Sequence, residues 1–456
     1  MKKEIRRLFG RDILVESYSV VNDIHASVQE IKDKIAYLEE YCNALNENIN
    51  SLNEELRNIS NNTKEYISLE NSFLSKKNGK KNILICGFFG ARNLGDELML
   101  QALLSTLDKS KFNITILLSN NYSLDASIYS PYDVIHYPKR SSDIISFAHK
   151  YDAVLWCGGA LMDDEDYCFN GEYSSISYLI MKITKVIVDS GGKFFSFSVS
   201  SNKELTNQLF LDDLKYLIDK SSFFSVRDEY TKESLKKAGI DIGGIKLMDD
   251  LVFLNYLNSD NKGIETRKDG KRTLGINLIF DNNDGEIKYY SYLIKEILAN
   301  KKYEKVVFIP FYDYNSTDVK NYKELIDLLI KEKHNSCQFE ICDFAESYDK
   351  IKSTFLSCED VVAMRYHAIV IGLMTGSNMA VVDYSGKHRH YFNKISFIKK
   401  KYAENLSLYE YDKKIDKTNR IIFKKTIIAD SLLKSICKNN HVIIDNTINK
   451  LGDRNK

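Results

Sequence analysis

The run VAMRYHAIVIG, residues 362–372, puts Arg365 and His367 two residues apart, where an apolar strand should end and a helix begin. A guanidinium, an imidazole and the free N–H groups of a helix start all suit an anion at that spot. An imidazole so placed can also move a proton as acid or base. A histidine satisfied by backbone is the plainer reading of His367. A second arginine, Arg227, stands in SVRDE, residues 225–229, at another strand end just before a helix. Its planar fork would fit a phosphate or a carboxylate bidentately; the alternative is an ordinary Arg–Asp surface pair, worth about 0–1 kcal/mol. Two glycine-bearing stretches complete the candidates. CGFFGARNLGDE, residues 86–97, offers Gly90, Asn93, Gly95 and Asp96 as an anion or sugar-hydroxyl loop, with Asp96 expected as N-cap of a helix from about Glu97 to Leu107. CGGALMDD, residues 157–164, offers Gly158, Gly159 and Asp163, a carboxylate able to grip sugar hydroxyls. Neither stretch is a Walker loop or GxGxxG, and a purely structural turn explains the glycines equally well. Lys387, His388, Arg389 and His390 read as a solvated basic loop.

The elements that must carry these residues alternate. Short apolar runs at 83–86, 113–119, 153–159, 193–200 and 222–228 read as strands, with helical patterns between them. The rhythm repeats at 273–279, 305–311, 337–343, 360–365 and 379–384. Strand, loop, helix, strand at this spacing predicts parallel βαβ units. The expected fold is α/β: two Rossmann-like domains around a cleft, 81–255 and 256–420, with a C-terminal helical tail over 421–456. In such sheets ligands bind beyond the carboxyl ends of the strands, where the candidate residues fall.

Residues 1–80 differ: a basic N-terminus, a helical stretch and a polar linker. Ile24, Val28, Ile31, Ile35, Leu38, Cys42, Leu45, Ile49, Leu52, Leu56 and Ile59 are spaced four, three, four, three. That is the 3.5-residue period of a coiled coil, so residues 21–59 predict a homo-oligomer, with a parallel dimer favoured by the residue types at a and d. Across the 456 residues, 64 Lys and Arg against 63 Asp and Glu leave a net charge of +1, which argues against a nucleic-acid binder. The eight cysteines are scattered without a CxxC, so no metal site is expected and a reduced, cytoplasmic setting is. No stretch of 18 apolar residues exists and the N-terminus lacks a signal-peptide core; the basic first 20 residues could touch the inner face of a membrane.

Taken in order, NILICGFFGARNLGDELML, the GlyGly element, SVRDE and MRYHA resemble the polysaccharide pyruvyltransferase family over about residues 82–390. The resemblance implies a GT-B-like enzyme that moves the pyruvyl group of phosphoenolpyruvate onto a sugar of a cell-surface polysaccharide or its precursor, forming a ketal. It implies phosphoenolpyruvate-binding roles for Arg227 and Arg365, and the RxH histidine maps onto His367, taken here as the catalytic acid–base group. The acceptor would be a saccharide, free or lipid-linked, and no cofactor or metal is expected. Two departures lie on the acceptor side: the family's glycine triplet is here flanked by Cys157 and Ala160, and its glycine-rich strand end is here SerPheSerValSer, 196–200. The rival readings are a nucleotide-sugar glycosyltransferase of GT-B type and a non-catalytic coiled-coil scaffold with a degenerate sugar-binding fold.

Overall fold

The computed structural model describes residues 20–29, 31–32, 34–36, 38, 42, 49, 79–118, 129–130, 132–137, 147–164, 167, 175–201, 203–258, 272–280, 284–312, 317–331, 337–344, 347–383, 398, 400–402, 408–410, 423–425, 428–448 and 451. It divides into two units, Met1–Asn71 and Ser72–Lys456. In the first, residues 20–29 and the described positions beyond them are helical, and Ile24, Val28, Ile31, Ile35, Leu38 and Ile49 are all exposed. The remaining expected seam residues, Leu45, Leu52, Leu56 and Ile59, lie outside the described residues, as do Lys387, His388, Arg389 and His390.

In the second unit the strands are β1 (Lys81–Cys86), β2 (Phe112–Leu118), β3 (Asp133–His136), β4 (Ala153–Cys157), β5 (Lys193–Val199), β6 (Phe223–Val226) and β7 (Lys246–Leu247). They form one parallel sheet in the order β3-β2-β1-β4-β5-β6-β7. β2 and β4 are buried at every position, which is why β4 reads as an unbroken apolar run and β2 is broken only by Asn113 and Thr115. A second sheet holds β8 (Thr273–Asn277), β9 (Lys305–Phe308), β10 (Gln338–Ile341), β11 (Asp360–Ala363), β12 (Asn378–Asp383) and β13 (Leu408–Glu410), ordered β10-β9-β8-β11-β12-β13, with the short β14 (Lys424–Lys425) antiparallel on β12. Counted from its own first strand, each sheet begins 3-2-1-4-5-6, so each reverses direction between its first and fourth strands. Ligands enter open α/β sheets beside such a reversal. Here those points are the ends of β1 and β4, and of β8 and β11.

Three local outcomes depart from the expectations. The helix after β1 spans Leu94–Thr106, three residues earlier than expected, and Asn93 rather than Asp96 occupies its N-cap. Asp96 cannot cap because it is already the third helical residue. β3, β7 and β13 fall outside the expected strands, since each spans only two to four residues, and in β3 only one residue is fully buried. The tail is helical over Asp430–Thr447 but is preceded by β14.

A bulge in β5 shapes the site. Its register against β6 slips between Ser196 and Val199, and Ser198 takes φ +56°. Left-handed backbone costs a non-glycine residue roughly 1–2 kcal/mol. Ser225 offsets part of this: its hydroxyl accepts from Ser198 N–H at 2.9 Å and donates to the Ser196 carbonyl at 2.9 Å. The glycine-rich strand end of the resembled family is thus replaced by a hydrogen-bonded serine bulge, which delivers Ser200 toward Arg227.

One buried cluster runs from Ile85 and Leu98 through Phe253 to Ile369 and Cys437, joining the face of the first sheet to the second and to the tail. The tail helix buries Leu433, Ile436 and Ile444, each worth roughly 1.5–3 kcal/mol on burial. Its Asn440 side-chain amide donates to the Asp249 carbonyl at 3.1 Å, and the Cys437 thiol to the Phe253 carbonyl at 3.0 Å. The segment after β7 is thereby clamped from behind, and that segment carries Asp250.

Candidate active site

The loop after β1 is held by an acidic residue. Gly90, at φ +76°, donates its N–H to Glu97 Oε1 at 2.8 Å and to the Tyr129 hydroxyl at 3.0 Å, while that hydroxyl donates to Glu97 Oε2 at 2.6 Å. Burial pushes the Glu97 carboxyl up to about 6, even against these two donors. Asn93 bridges to Tyr312, and Leu94 N–H donates to the Phe311 carbonyl at 2.9 Å, so this loop is tied to the second sheet's loops. Gly158 and Gly159, at φ +61° and +74°, end β4 and press onto the same helix. A Cβ on Gly158 would stand 2.4 Å from Met99 Sδ, and one on Gly159 would stand 2.7 Å from Asp96 Oδ1. Close packing on Met99 and Asp96 therefore already accounts for both glycines. Asp163 lies aside, partly exposed, 3.5 Å from Lys203 Nζ.

Asp228 starts the next helix, Glu229–Lys237, as a true N-cap, accepting from Thr231 N–H at 2.7 Å. That cap leaves Arg227 at the strand end, and its guanidinium is buried rather than displayed. Nη1 donates to Asp250 Oδ2 at 2.7 Å, Nη2 donates to Ser200 Oγ at 2.8 Å, and the fork lies 4.1 Å over the Tyr366 ring. The expected open clamp is instead a buried cation whose Nη1 and Nη2 are already engaged. His367, on the helix Tyr366–Thr375 of the second sheet, meets the same carboxylate: its Nε2 lies 3.4 Å from Asp250 Oδ2, without the angle of a hydrogen bond. Burial alone would raise the Asp250 carboxyl, but His367 and Arg227 outweigh it and hold the group well below the usual carboxylate range. Asp250 also accepts from Val252 N–H at 2.9 Å, which fixes it at the start of the 3₁₀ turn Leu251–Leu254.

The other edge of the imidazole meets Gly95. A Cβ there would fall 1.8 Å from His367 Nδ1. Glycine at 95 is what lets a helix of the first sheet's half touch the catalytic candidate of the second. Arg365, two residues before His367, does not join this cluster directly. Its backbone N–H donates to Asn277 Oδ1 at 3.1 Å, across the reversal between β8 and β11, and its Nη2 donates to Asp318 Oδ1 at 2.8 Å. Asp318 in turn accepts from the N–H groups of Phe311 and Tyr312 at 3.0 and 2.9 Å. The Arg365 side chain is 22% exposed against 4% for Arg227, so it is the more accessible cation.

Among the described residues, four buried polar atoms here lack a hydrogen-bond partner: Arg227 Nε, Asp228 Oδ2, Arg365 Nε and His367 Nε2. Unmet polar groups of this kind are costly and call for a partner that binds there. The set can hold an anion and exchange a proton beside it. No group of His, Cys, Asp and Glu able to hold a metal occurs among the described residues, and Cys86 and Cys157 are core thiols pushed up by burial.

Asp250, Asp318, Asn277 and Tyr366 were not singled out by the sequence. Tyr366 was visible inside the RYH element, whereas Asp250 and Asp318 sit in no recognisable pattern and reach the site only through the fold.

Among solved structures, the chain is similar to a UDP-GlcNAc 2-epimerase from Methanocaldococcus jannaschii at 12% identity and TM-score 0.47, covering 80% of this chain and 99% of that one. It is likewise similar to the Neisseria meningitidis UDP-GlcNAc 2-epimerase bound to UDP-GlcNAc, at 11% identity and TM-score 0.46, covering 81% and 93%. No curated protein matches the chain by sequence. A family profile does: that of polysaccharide pyruvyl transferases, over residues 93–386. That span begins at the N-cap of the Gly95 helix, takes in Arg227, Asp250, Asp318 and the Arg365–His367 pair, and is well over half the sequence. The chain belongs to the polysaccharide pyruvyl transferase family, a family of transferases.

Proposed function

We propose that this enzyme transfers the pyruvyl group of phosphoenolpyruvate to a sugar of a cell-surface polysaccharide or its precursor, forming a pyruvate ketal. The observation that carries this reading is the meeting of His367 and Arg227 on one buried carboxylate, Asp250, with Arg365 two residues away. Phosphoenolpyruvate carries a phosphate and a carboxylate on one small frame, so two guanidiniums suit it. Arg365, the more exposed, is the first contact for the donor, and Arg227 adds charge from beneath. Both stabilise the departing phosphate. His367 supplies acid–base catalysis, with Asp250 orienting the ring.

The test is phosphate release from phosphoenolpyruvate with a panel of nitrophenyl sugars bearing neighbouring hydroxyls. His367→Ala should lower turnover at least about 100-fold. In a thermal-shift comparison, phosphoenolpyruvate should raise the melting temperature and UDP-GlcNAc should not. Stabilisation by UDP-GlcNAc alone would move the assignment to a nucleotide-sugar glycosyltransferase. Wild-type turnover in the His367→Ala enzyme would remove the role given to the imidazole.

A second copy of this chain is the proposed partner of the N-terminal helical stretch. Its a and d positions Val28, Ile31, Ile35 and Leu38 are exposed apolar residues in a heptad pattern, which a like helix would bury. Sedimentation of the full chain should show an oligomer, and Ile31→Asp with Ile35→Asp should give a monomer. An unchanged oligomer in that variant would place the interface elsewhere.

A further inference from the structure

The proposed reaction must deliver one proton to carbon and remove two from acceptor hydroxyls. One imidazole cannot be both the acid and the base of a single addition step, so a second proton carrier is required. Asp96 has the geometry for it. It follows Gly95, whose Cα lies against the His367 ring, on the first turn of the helix Leu94–Thr106. Its side chain is buried at 6% exposure, and it makes no hydrogen bond among the described residues. Its neighbour Glu97, equally buried, is by contrast fully engaged by Gly90 and Tyr129. Gly159 brings bare backbone up to Asp96 at the end of β4, where a Cβ would stand 2.7 Å from Asp96 Oδ1. The groups that face Asp96 are Glu97 on its own helix, Cys157 at the end of β4, Arg227 after β6 and Asp250 before the 3₁₀ turn.

We propose that Asp96 is a second catalytic residue, a carboxylic acid that gives its proton to the methylene carbon of phosphoenolpyruvate and later takes one from the acceptor. The inference rests on the donor assigned above. Burial, with Glu97 and Asp250 adding and Arg227 opposing, pushes its carboxyl up to about 8, so it is protonated at neutral pH. The protons then balance. Asp96 protonates C3, turning the methylene into a methyl and making C2 electrophilic. The first hydroxyl adds to C2, and His367 takes its proton. The C2–O bond to phosphate breaks, with His367 returning that proton to the leaving oxygen. The second hydroxyl adds to C2, and its proton restores Asp96. Both residues end as they began, and no other reactant is consumed.

The experiment uses the full chain, phosphoenolpyruvate and the nitrophenyl sugar panel. Asp96→Asn should lose at least about 100-fold in kcat while KM for phosphoenolpyruvate changes by less than about 3-fold. Added formate should restore part of the rate to Asp96→Ala, whose missing carboxyl leaves room for it. Urea unfolding supplies a readout independent of turnover. A carboxyl with a folded pKa of about 8 and an ordinary value of 3.8 contributes stability fully below the lower value and loses it as pH rises through the upper. Wild type should therefore weaken between pH 4 and 8 more steeply than Asp96→Asn. Equal slopes would show that Asp96 is not held neutral and would overturn the acid role. Phosphate release retained by Asp96→Asn, or a loss that formate leaves unrescued in Asp96→Ala, would overturn this inference alone. No release by wild type with any acceptor would overturn the donor reading and this inference together.

Discussion

Replacing Gly95 with alanine is expected to leave the protein folded and to reduce turnover at least about 100-fold. Judged locally, the substitution should help. Gly95 is the second residue of the helix Leu94–Thr106, its φ is not positive, and alanine is favoured over glycine in a helix by roughly 0.5–1 kcal/mol. The obstacle is tertiary. The new methyl would stand 1.8 Å from His367 Nδ1 and 2.5 Å from Cγ and Cε1, so the ring must leave. Overpacking of this kind costs about 1–3 kcal/mol, which the helical gain partly offsets. Displacement of a catalytic group by even about 1 Å can cost 100-fold in rate. Phosphate release, set beside a melting curve of the same sample, checks both halves of the expectation. An alanine variant with wild-type turnover would mean that His367 works from another position.

That contrast shows what the sequence could and could not convey. The alternation of apolar runs and helical patterns led directly to two parallel sheets, because buried parallel strands leave an unbroken hydrophobic signature. Arg227, Arg365 and His367 were found from their places at strand ends. Their partners were not. Asp250 lies in LysLeuMetAspAspLeuValPhe, where neither aspartate is distinguishable from a surface acid until the chain folds. Its burial between Arg227 and His367 depends on β6, on the helix Tyr366–Thr375 and on the tail helix, which are far apart in sequence. An acid before an apolar run usually caps a helix, hence the expectation for Asp96. The helix began earlier, and the residue became a buried carboxyl. Nothing local to Arg227 reveals that its guanidinium will be covered by a tyrosine ring.

The two sheets thus contribute unlike parts to one site. The first supplies Gly95, Asp96 and Arg227, the second supplies Arg365 and His367, and the connection between them supplies Asp250. A residue shared by both halves should couple stability to activity more tightly than one belonging to either.

Asp250 is where that coupling is expected to be largest. Asp250→Ala should destabilise the protein by about 3–5 kcal/mol, because it leaves the Arg227 cation buried without its counter-ion. Asp250→Asn should cost less. The amide oxygen can still accept from Val252 N–H, as Asp250 Oδ1 does at 2.9 Å, but it offers Arg227 no charge. Urea denaturation at constant pH separates the two variants. Both should lose turnover, since among the described residues His367 Nε2 has no other carboxylate within ion-pair distance. The asparagine variant is the more informative, because it remains folded enough to assay for phosphate release. Removing Arg227 with Asp250, as Arg227→Met with Asp250→Leu, should restore much of the stability without restoring turnover, because a buried ion pair is replaceable by apolar packing and a catalytic one is not. A double variant as unstable as Asp250→Ala would show instead that Asp250 matters mainly through Val252 and the tail helix, and that its contact with Arg227 is incidental.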